Sequence, residues 1–567
     1  MKFRCGVQKK CFDNTLFRCF VLGMLVGAVV FILIFGFKII DFTYVDRMLV
    51  RNGIEDLPQH YLGWEFFRRT RWHFPLGLTE GLIFPNKISV VYTDSIPLVA
   101  LIFKLFSKLL PAKCQYFGLY GLACYMLQGG FGALISYKYK NSKLFAGCAS
   151  LLFIISPIML KRMFYHHALA SHWLILAALS IWIYKNKFLV TSKCALVFSA
   201  LCAITVLIHM YLVPMVLGIM MCYLLQNFIE YRNYKKVTVV FFSSLASIFV
   251  ISYLVGLFYG GIPATADSYG LLGYNLNGFL NPLDTSLFVK NLPLSFVQHF
   301  EVYSYLGLGV VFFVLMSFVD WISKLFERKL AFSILYLPWI LMCLVFTLLA
   351  IGPNLTFNEH LILDVKLPNG SPHILSIFRA SARFIWPVYY VVYIYIIRFI
   401  AKTKSWNSVA AASFIVLLQV IDLFPIIKYK HDLISIPVTF ESPLKASTWD
   451  ELGRTHKNII FYKPINDFYT NYSVQGLGYI FGEYALRYDL TLNATYLARN
   501  VSTQKDTEIT KHFDSLSRGE RYRENIYVFP VESNVPTGDY GLHYYRMDGI
   551  VVGTVDEIKG ENELHFE

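Results

Sequence analysis

Almost uncharged apolar runs of about 17 to 25 residues recur along this chain, and no other feature restricts its fold so strongly. CFVLGMLVGAVVFILIFGFKII is the first of them. A hydrocarbon core about 30 Å thick is crossed by ~20 helical residues. Without water inside that core, each crossing segment must satisfy its own backbone polar groups, which leaves the helix as the natural element. Spans are expected at about 19–40, 115–137, 144–160, 172–189, 190–210, 212–229, 237–258, 301–322, 331–350, 384–400 and 406–425. About eleven transmembrane helices define an α-helical polytopic membrane protein.

The formal net charge of +14 would fit a nucleic-acid partner if the charge were spread over a soluble surface. Instead Lys138/Lys140/Lys143, Lys185/Lys187, Arg232/Lys235/Lys236, Lys324/Arg328/Lys329 and Arg398/Lys402/Lys404 lie between apolar runs, all on the N-terminal side of the membrane. That is the positive-inside pattern, and it implies no nucleic acid. Lys2, Arg4, Lys9 and Lys10 then make the N-terminus cytoplasmic, and the apolar stretch behind them is too long for a cleaved signal peptide. An odd number of spans puts the C-terminus outside.

DSIPLVALIFKLFSKLLP, residues 94–111, is short and carries Lys104 and Lys108 on one helical face, so it reads as a helix on the outer surface. The first external loop then runs over about 41–113. Beyond about residue 429, strand-like runs (NIIFY, NIYVFP, GIVVGTV) alternate with helical ones, giving a small extracytoplasmic α/β domain over 429–567 behind a membrane domain over 1–428. Of the ten cysteines none follows Cys343, and no Cys/His spacing fits zinc.

Charged and polar residues gather at the outer ends of the spans. In DLPQHYLGW, Asp56 and His60 share a helical face with Trp64 on the next turn; such a pair serves acid–base chemistry, holds a divalent cation, or forms a plain ion pair. Asp94 or Ser95 is placed to cap the surface helix, or Asp94 is a carboxylate held at the membrane surface. KRMFYHHALASHW supplies Arg162, His166, His167 and His172 externally, as interfacial anchors or as a site. His209 and Tyr211 read as structural. Glu301 begins the eighth span from outside and balances an arginine or meets a substrate. Arg379 and Arg383 open a span from the outside, where positive-inside bias does not explain them; they snorkel to lipid phosphates or bind a phosphate bidentately.

Taken together, DLPQHYLGWEFFRRTRWHFPLG, VVYTDSIPLVALIFK, SPIMLKRMFYHHALASHWLILAAL, EVYSYLGLG and FRASARFIWPVYY resemble a family of bacterial multi-pass membrane proteins grouped with the GT-C glycosyltransferases. The resemblance covers most of the chain from about Asp56 to Tyr390. Asp56, His60, Gly63, Trp64, Arg162, His167, His172, Trp173, Arg379 and Arg383 occupy its motif positions, with Ala382 where a glycine is frequent.

It implies a glycosyltransferase of the bacterial inner membrane that moves a sugar from a polyprenyl-phosphate donor to a cell-envelope glycan or glycolipid on the external face, with inversion. Asp56 or Asp94 would be the base. Arg379, Arg383 and Arg162 would receive the lipid phosphate, with Glu301 and Trp64 near the substrate. His60, His167 and His172 would orient the acceptor or help bind a cation, Mg or Mn, which the external side chains permit without requiring. The rival expectations are a transporter or flippase of lipid-linked sugar and a non-catalytic assembly protein on the same scaffold.

Overall fold

A computed structural model describes residues 14–50, 56–260, 270–296, 301, 303–326, 333–366, 377–462, 474–497, 502–529, 535 and 540–565. The basic N-terminal residues, Arg328 and Lys329 lie outside these. Among the described residues, eight helices are long and apolar enough to cross a membrane: Asn14–Phe35, Phe117–Tyr139, Thr191–Ile208, Leu212–Tyr231, Tyr234–Leu254, Leu308–Phe326, Ile334–Ile351 and Ser381–Ala401. A ninth is reached if Trp406–Asp422 and Phe424–Ser435, bent by 63° at their junction, count as one span.

Two of the expected spans are instead shorter apolar helices, Lys143–Ile154 and His167–Ile183. The first stops where Ser156 and Pro157 open a new helix, Pro157–Arg162. The second has Leu174 through Trp182 all buried, so other helices rather than lipid surround it and a full bilayer's length is not required of it. Small residues set the tightest crossing: Gly23 and Gly129 bring the backbones of the Asn14–Phe35 and Phe117–Tyr139 helices together where a Cβ would overlap the facing carbonyl. The Phe424–Ser435 helix runs unbroken through the expected boundary at 428/429.

The first loop is folded. It holds the helix Leu57–Arg69, the hairpin Leu78–Ile83/Asn86–Ser89 and the helix Pro97–Leu105. With 9 residues the last is only about 13 Å long, too short to span. The expected cap is not made. Ile96, in the left-handed region, stands at the N-cap without a side-chain bond, while the Ser95 hydroxyl donates to the His60 carbonyl at 2.7 Å. Nor do the two lysines share an exposed face: Lys104 is buried, its ammonium 3.9 Å from the Phe67 ring and 4.7 Å from Trp72, whereas Lys108 is exposed beyond the helix end. Cation–π attraction across the helix outweighs snorkelling for Lys104.

The C-terminal part is an α/β domain. Its six-stranded sheet runs, edge to edge, Glu563–Leu564, His543–Met547, Ile550–Thr554, Asn525–Phe529, Asn458–Phe461 and Thr491–Leu492. Asn458–Phe461 pairs in parallel with both of its neighbours, and the other pairings are antiparallel. This domain rests on the first loop. Phe66, Leu82, Ile83, Ile88 and Tyr92 form one core with Trp449, Phe461, Phe481 and Tyr484. The Phe84 N–H donates to the Leu492 carbonyl at 2.6 Å, and Arg69 to the Leu486 carbonyl at 2.6 Å.

Candidate functional site

Asp56 stands at the N-cap of the Leu57–Arg69 helix, and its carbonyl accepts from the His60 N–H at 3.2 Å. Its carboxylate does not pair with His60, as the helical spacing predicts, but with Nδ1 of His166. His166 is delivered by a buckle after the Pro157–Arg162 helix. Phe164 turns left-handed with φ 56°, its N–H donates to Nδ1 of His167 at 3.2 Å, and Nε2–H of His167 donates to the Phe117 carbonyl at 2.8 Å. Both His167 nitrogens are thereby used by the backbone.

The other face of His166 meets a second carboxylate, with Nε2 3.3 Å from Oε2 of Glu301. Each ring nitrogen of His166 thus faces a carboxylate oxygen, one from Asp56 and one from Glu301. Arg162 donates to the Glu301 carbonyl and lies 3.9 Å from its Oε2. Burial opposes the charge on Asp56, yet the neighbouring His166 outweighs it and holds the carboxyl below its ordinary range. At Glu301 burial is likewise overcome, by His166 first and then Arg162 and Arg383, and the carboxyl is held well below the usual carboxylate range. His60, 1% exposed, is pushed down to about 4 by burial, against the pull of Asp56.

A second line of contacts reaches the same place from Asp94. This residue adopts φ 53° beside the site helix, and its Oδ1 is 3.6 Å from Nε2 of His209. The Tyr211 N–H donates to Nδ1 of His209 at 3.1 Å, which leaves the ring proton on Nε2, facing Asp94. The Tyr211 ring, 5.6 Å from His209 between centroids, carries the Arg383 guanidinium at 4.7 Å. Arg383 in turn adds to the positive field of Arg162 at Glu301 and repels the Arg162 guanidinium, a charge of its own sign.

Three buried nitrogens around this assembly have no hydrogen-bond partner among the described residues: Nδ1 of His60, Nε2 of His172 and Nε of Arg383. His172 lies beneath the cluster, its Nδ1 3.0 Å from the Tyr390 hydroxyl and its ring 4.4 Å from Trp386, whose indole also faces Arg162 at 5.9 Å. A stranded buried polar atom costs roughly 1–3 kcal/mol. Three bordering one carboxylate–imidazole group mark it as a place where further polar partners would be accommodated.

The structure thus gathers Asp56, Arg162, Glu301 and Arg383, borders them with His60 and His172, and links Asp94 through His209 and Tyr211. It does not bring in the rest. Trp64 is fully buried in the first-loop core, with its N–H on the Cys114 carbonyl at 2.9 Å and its ring against Tyr116. Arg379 is exposed. His166, the hinge of the arrangement, is the residue spacing undervalued; two adjacent histidines behind an arginine were its only signal. Among the described residues no group of three or more His, Cys, Asp or Glu side chains is arranged to hold a metal ion. Asp56 and Glu301 turn their oxygens to opposite nitrogens of one imidazole, so the residues present do not fit an Mg or Mn site.

No curated protein matches the sequence significantly. A family model described as "Domain of unknown function (DUF6311)" matches residues 24–424, and one described as "DUF6311 C-terminal domain" matches residues 448–555. With most of its length inside that match, the chain belongs to the DUF6311 family.

Proposed function

We propose that this protein is a GT-C-like membrane glycosyltransferase, moving a sugar from a polyprenyl-phosphate donor to a cell-envelope glycan or glycolipid acceptor. In this reading it lies in a bacterial inner membrane with its N-terminus in the cytoplasm, and both the site and the C-terminal domain face outward. The observation that carries it is the meeting of two buried arginines with a carboxylate–imidazole–carboxylate bridge, ringed by unpartnered nitrogens.

The acceptor hydroxyl gives its proton to Asp56 or Asp94 as its oxygen bonds to the anomeric carbon from the face opposite the phosphate. The bond from that carbon to the phosphate oxygen breaks, the electron pair stays on the phosphate, and the anomeric centre inverts. Arg162 and Arg383 neutralise the charge that grows there. A positioned base contributes about 10²- to 10⁴-fold, and one lost donor to developing charge costs about 10²- to 10³-fold in rate.

The test uses the full chain in liposomes supplied with lipid-linked sugars extracted from its native membranes. Formation of a glycosidic product that falls at least a hundredfold in both Arg383→Ala and one of Asp56→Asn or Asp94→Asn supports the reading. Movement of lipid-linked sugar across the vesicle without any new glycosidic bond would replace it with transport. Reporter fusions placing residue 167 and the C-terminus on opposite sides of the membrane would dismantle the site altogether.

A further inference from the structure

Cations outnumber carboxylates where the Pro157–Arg162 helix meets the Phe424–Ser435 helix. Lys430 is 2% exposed, and its ammonium donates to the Met163 carbonyl at 2.7 Å. The charged neighbours that act on it are Lys161 and Arg162, both of its own sign. Lys161 lies 5.8 Å over the ring of Tyr303 and within the fields of Arg162, Asp284 and Glu301. Arg383, whose buried Nε has no hydrogen-bond partner among the described residues, acts on Arg162 and so joins the group. Glu301 is already shared by His166 and Arg162, and with Asp56 acting on Arg162 and the exposed Asp284 on Lys161 the carboxylates still number fewer than the cations, while no carboxylate among the described residues acts on Lys430. A buried ammonium facing like charges is costly and is retained where an anion arrives to offset it.

We propose that Lys161 and Lys430 extend Arg162 and Arg383 into a four-cation receptor for a diphosphate, so that the lipid carrier's head group is a diphosphate rather than a monophosphate. This rests on the lipid-phosphate reading above and narrows its substrate class. A sugar-linked diphosphate diester carries two negative charges, and a phosphodiester carries one. When the anomeric C–O bond breaks and the electron pair stays with the carrier, the charges rise to about three and two. Arg162 and Arg383 match the two charges of a departing monophosphate, and Lys161 and Lys430 supply the further positive charge that the third charge of a departing diphosphate calls for. The division of labour suits the side chains: guanidinium forks fix orientation, and ammonium groups act as point charges.

The experiment measures binding of farnesyl diphosphate, farnesyl monophosphate and inorganic pyrophosphate to the full-length protein in nanodiscs by titration calorimetry. Farnesyl diphosphate is expected to bind at least about tenfold more tightly than the monophosphate. Lys430→Met and Lys161→Met should each remove most of that difference while leaving monophosphate affinity within about twofold, and Lys430→Arg should keep it. Equal affinity for the two farnesyl ligands, or an unchanged preference in folded Lys161→Met, overturns the diphosphate assignment and leaves the phosphate reading standing. Binding of neither ligand removes both. Inorganic pyrophosphate bound as tightly as farnesyl diphosphate would make the ligand a free diphosphate and overturn the lipid carrier. Should Lys430→Met fail to fold, Lys430→Arg and Lys161→Met decide the matter.

Discussion

His166 holds two carboxylates that would otherwise repel each other, and it does so from a backbone buckle rather than from a regular helix. Replacing it by alanine leaves Asp56 and Glu301 partly buried without their shared donor. His166→Ala should lower stability by about 1–3 kcal/mol, read as a fall in unfolding midpoint in detergent, with His166→Gln falling less because an amide still donates to one oxygen. An unchanged midpoint in both variants would show that the bridge is not formed. His60 gives a separate signature in pH. Burial sets its folded pKa at about 4 against an ordinary 6.5, so the folded chain refuses a proton that the unfolded chain accepts. That stability is present above pH 6.5 and drains as pH falls toward 4, by about 3 kcal/mol. Asp56 and Glu301 have depressed values, so their contribution is present above the ordinary carboxylate range and is lost as pH falls further, through their lower folded values. In His60→Gln the loss between pH 6.5 and 4 should be smaller than in the wild type by about that amount, the other buried histidines still contributing, while the acid loss from the carboxylates persists, measured as unfolding midpoint against pH.

Glu301 owes its position to the segment that follows it, which is pinned from the Trp406–Asp422 helix. Asp422 is fully buried and accepts from Ser286, from the Tyr305 hydroxyl at 2.9 Å and from the Leu308 N–H at 2.9 Å. The Gln419 amide donates to the Leu306 carbonyl at 3.0 Å, and Gly307, with φ 87°, lies so close that a Cβ would overlap that amide. Asp422→Ala strands Tyr305 and Leu308 at about 1–3 kcal/mol for each group. It should reduce stability strongly, and Asp422→Asn less, since its remaining carbonyl oxygen still accepts; equal midpoints for wild type and Asp422→Ala would contradict the pinning. Elements of this kind were only partly legible in the sequence. Long lipid-facing helices announce themselves through hydropathy, whereas Trp173–Ile183 is apolar all round and shows its true length only through its neighbours. The cap expected at Asp94 or Ser95 failed because the helix begins at Pro97 with a left-handed Ile96 at the N-cap, which puts both residues before the capping position, and Ser95 bonds instead to the His60 carbonyl.

At the level of the molecule, the C-terminal domain and the first loop share a core, so the helix that presents Asp56 and His60 is packed from behind by Phe481 and Tyr484 through Phe66. Ending the chain after Ser435 would expose Phe66, Leu82, Ile83 and Ile88. The truncated protein should be cut rapidly by protease within residues 57–92 while its long apolar helices resist, and equal protection of that segment with and without the domain would show that it stands alone. What composition and order alone decided is the part that depends on one stretch of chain at a time: that long apolar helices form, that a folded loop follows the first of them, and that an α/β unit closes the sequence. Hydropathy and strand alternation are local sums over neighbouring residues, so they survive without any knowledge of packing. Which imidazole stands between which carboxylates, which arginine lies over Tyr211, and which histidine is consumed by the backbone were decided by tertiary contact. Such pairings depend on how segments distant in the chain pack against one another, and a charged side chain's partner is chosen by burial and geometry rather than by its position in the sequence.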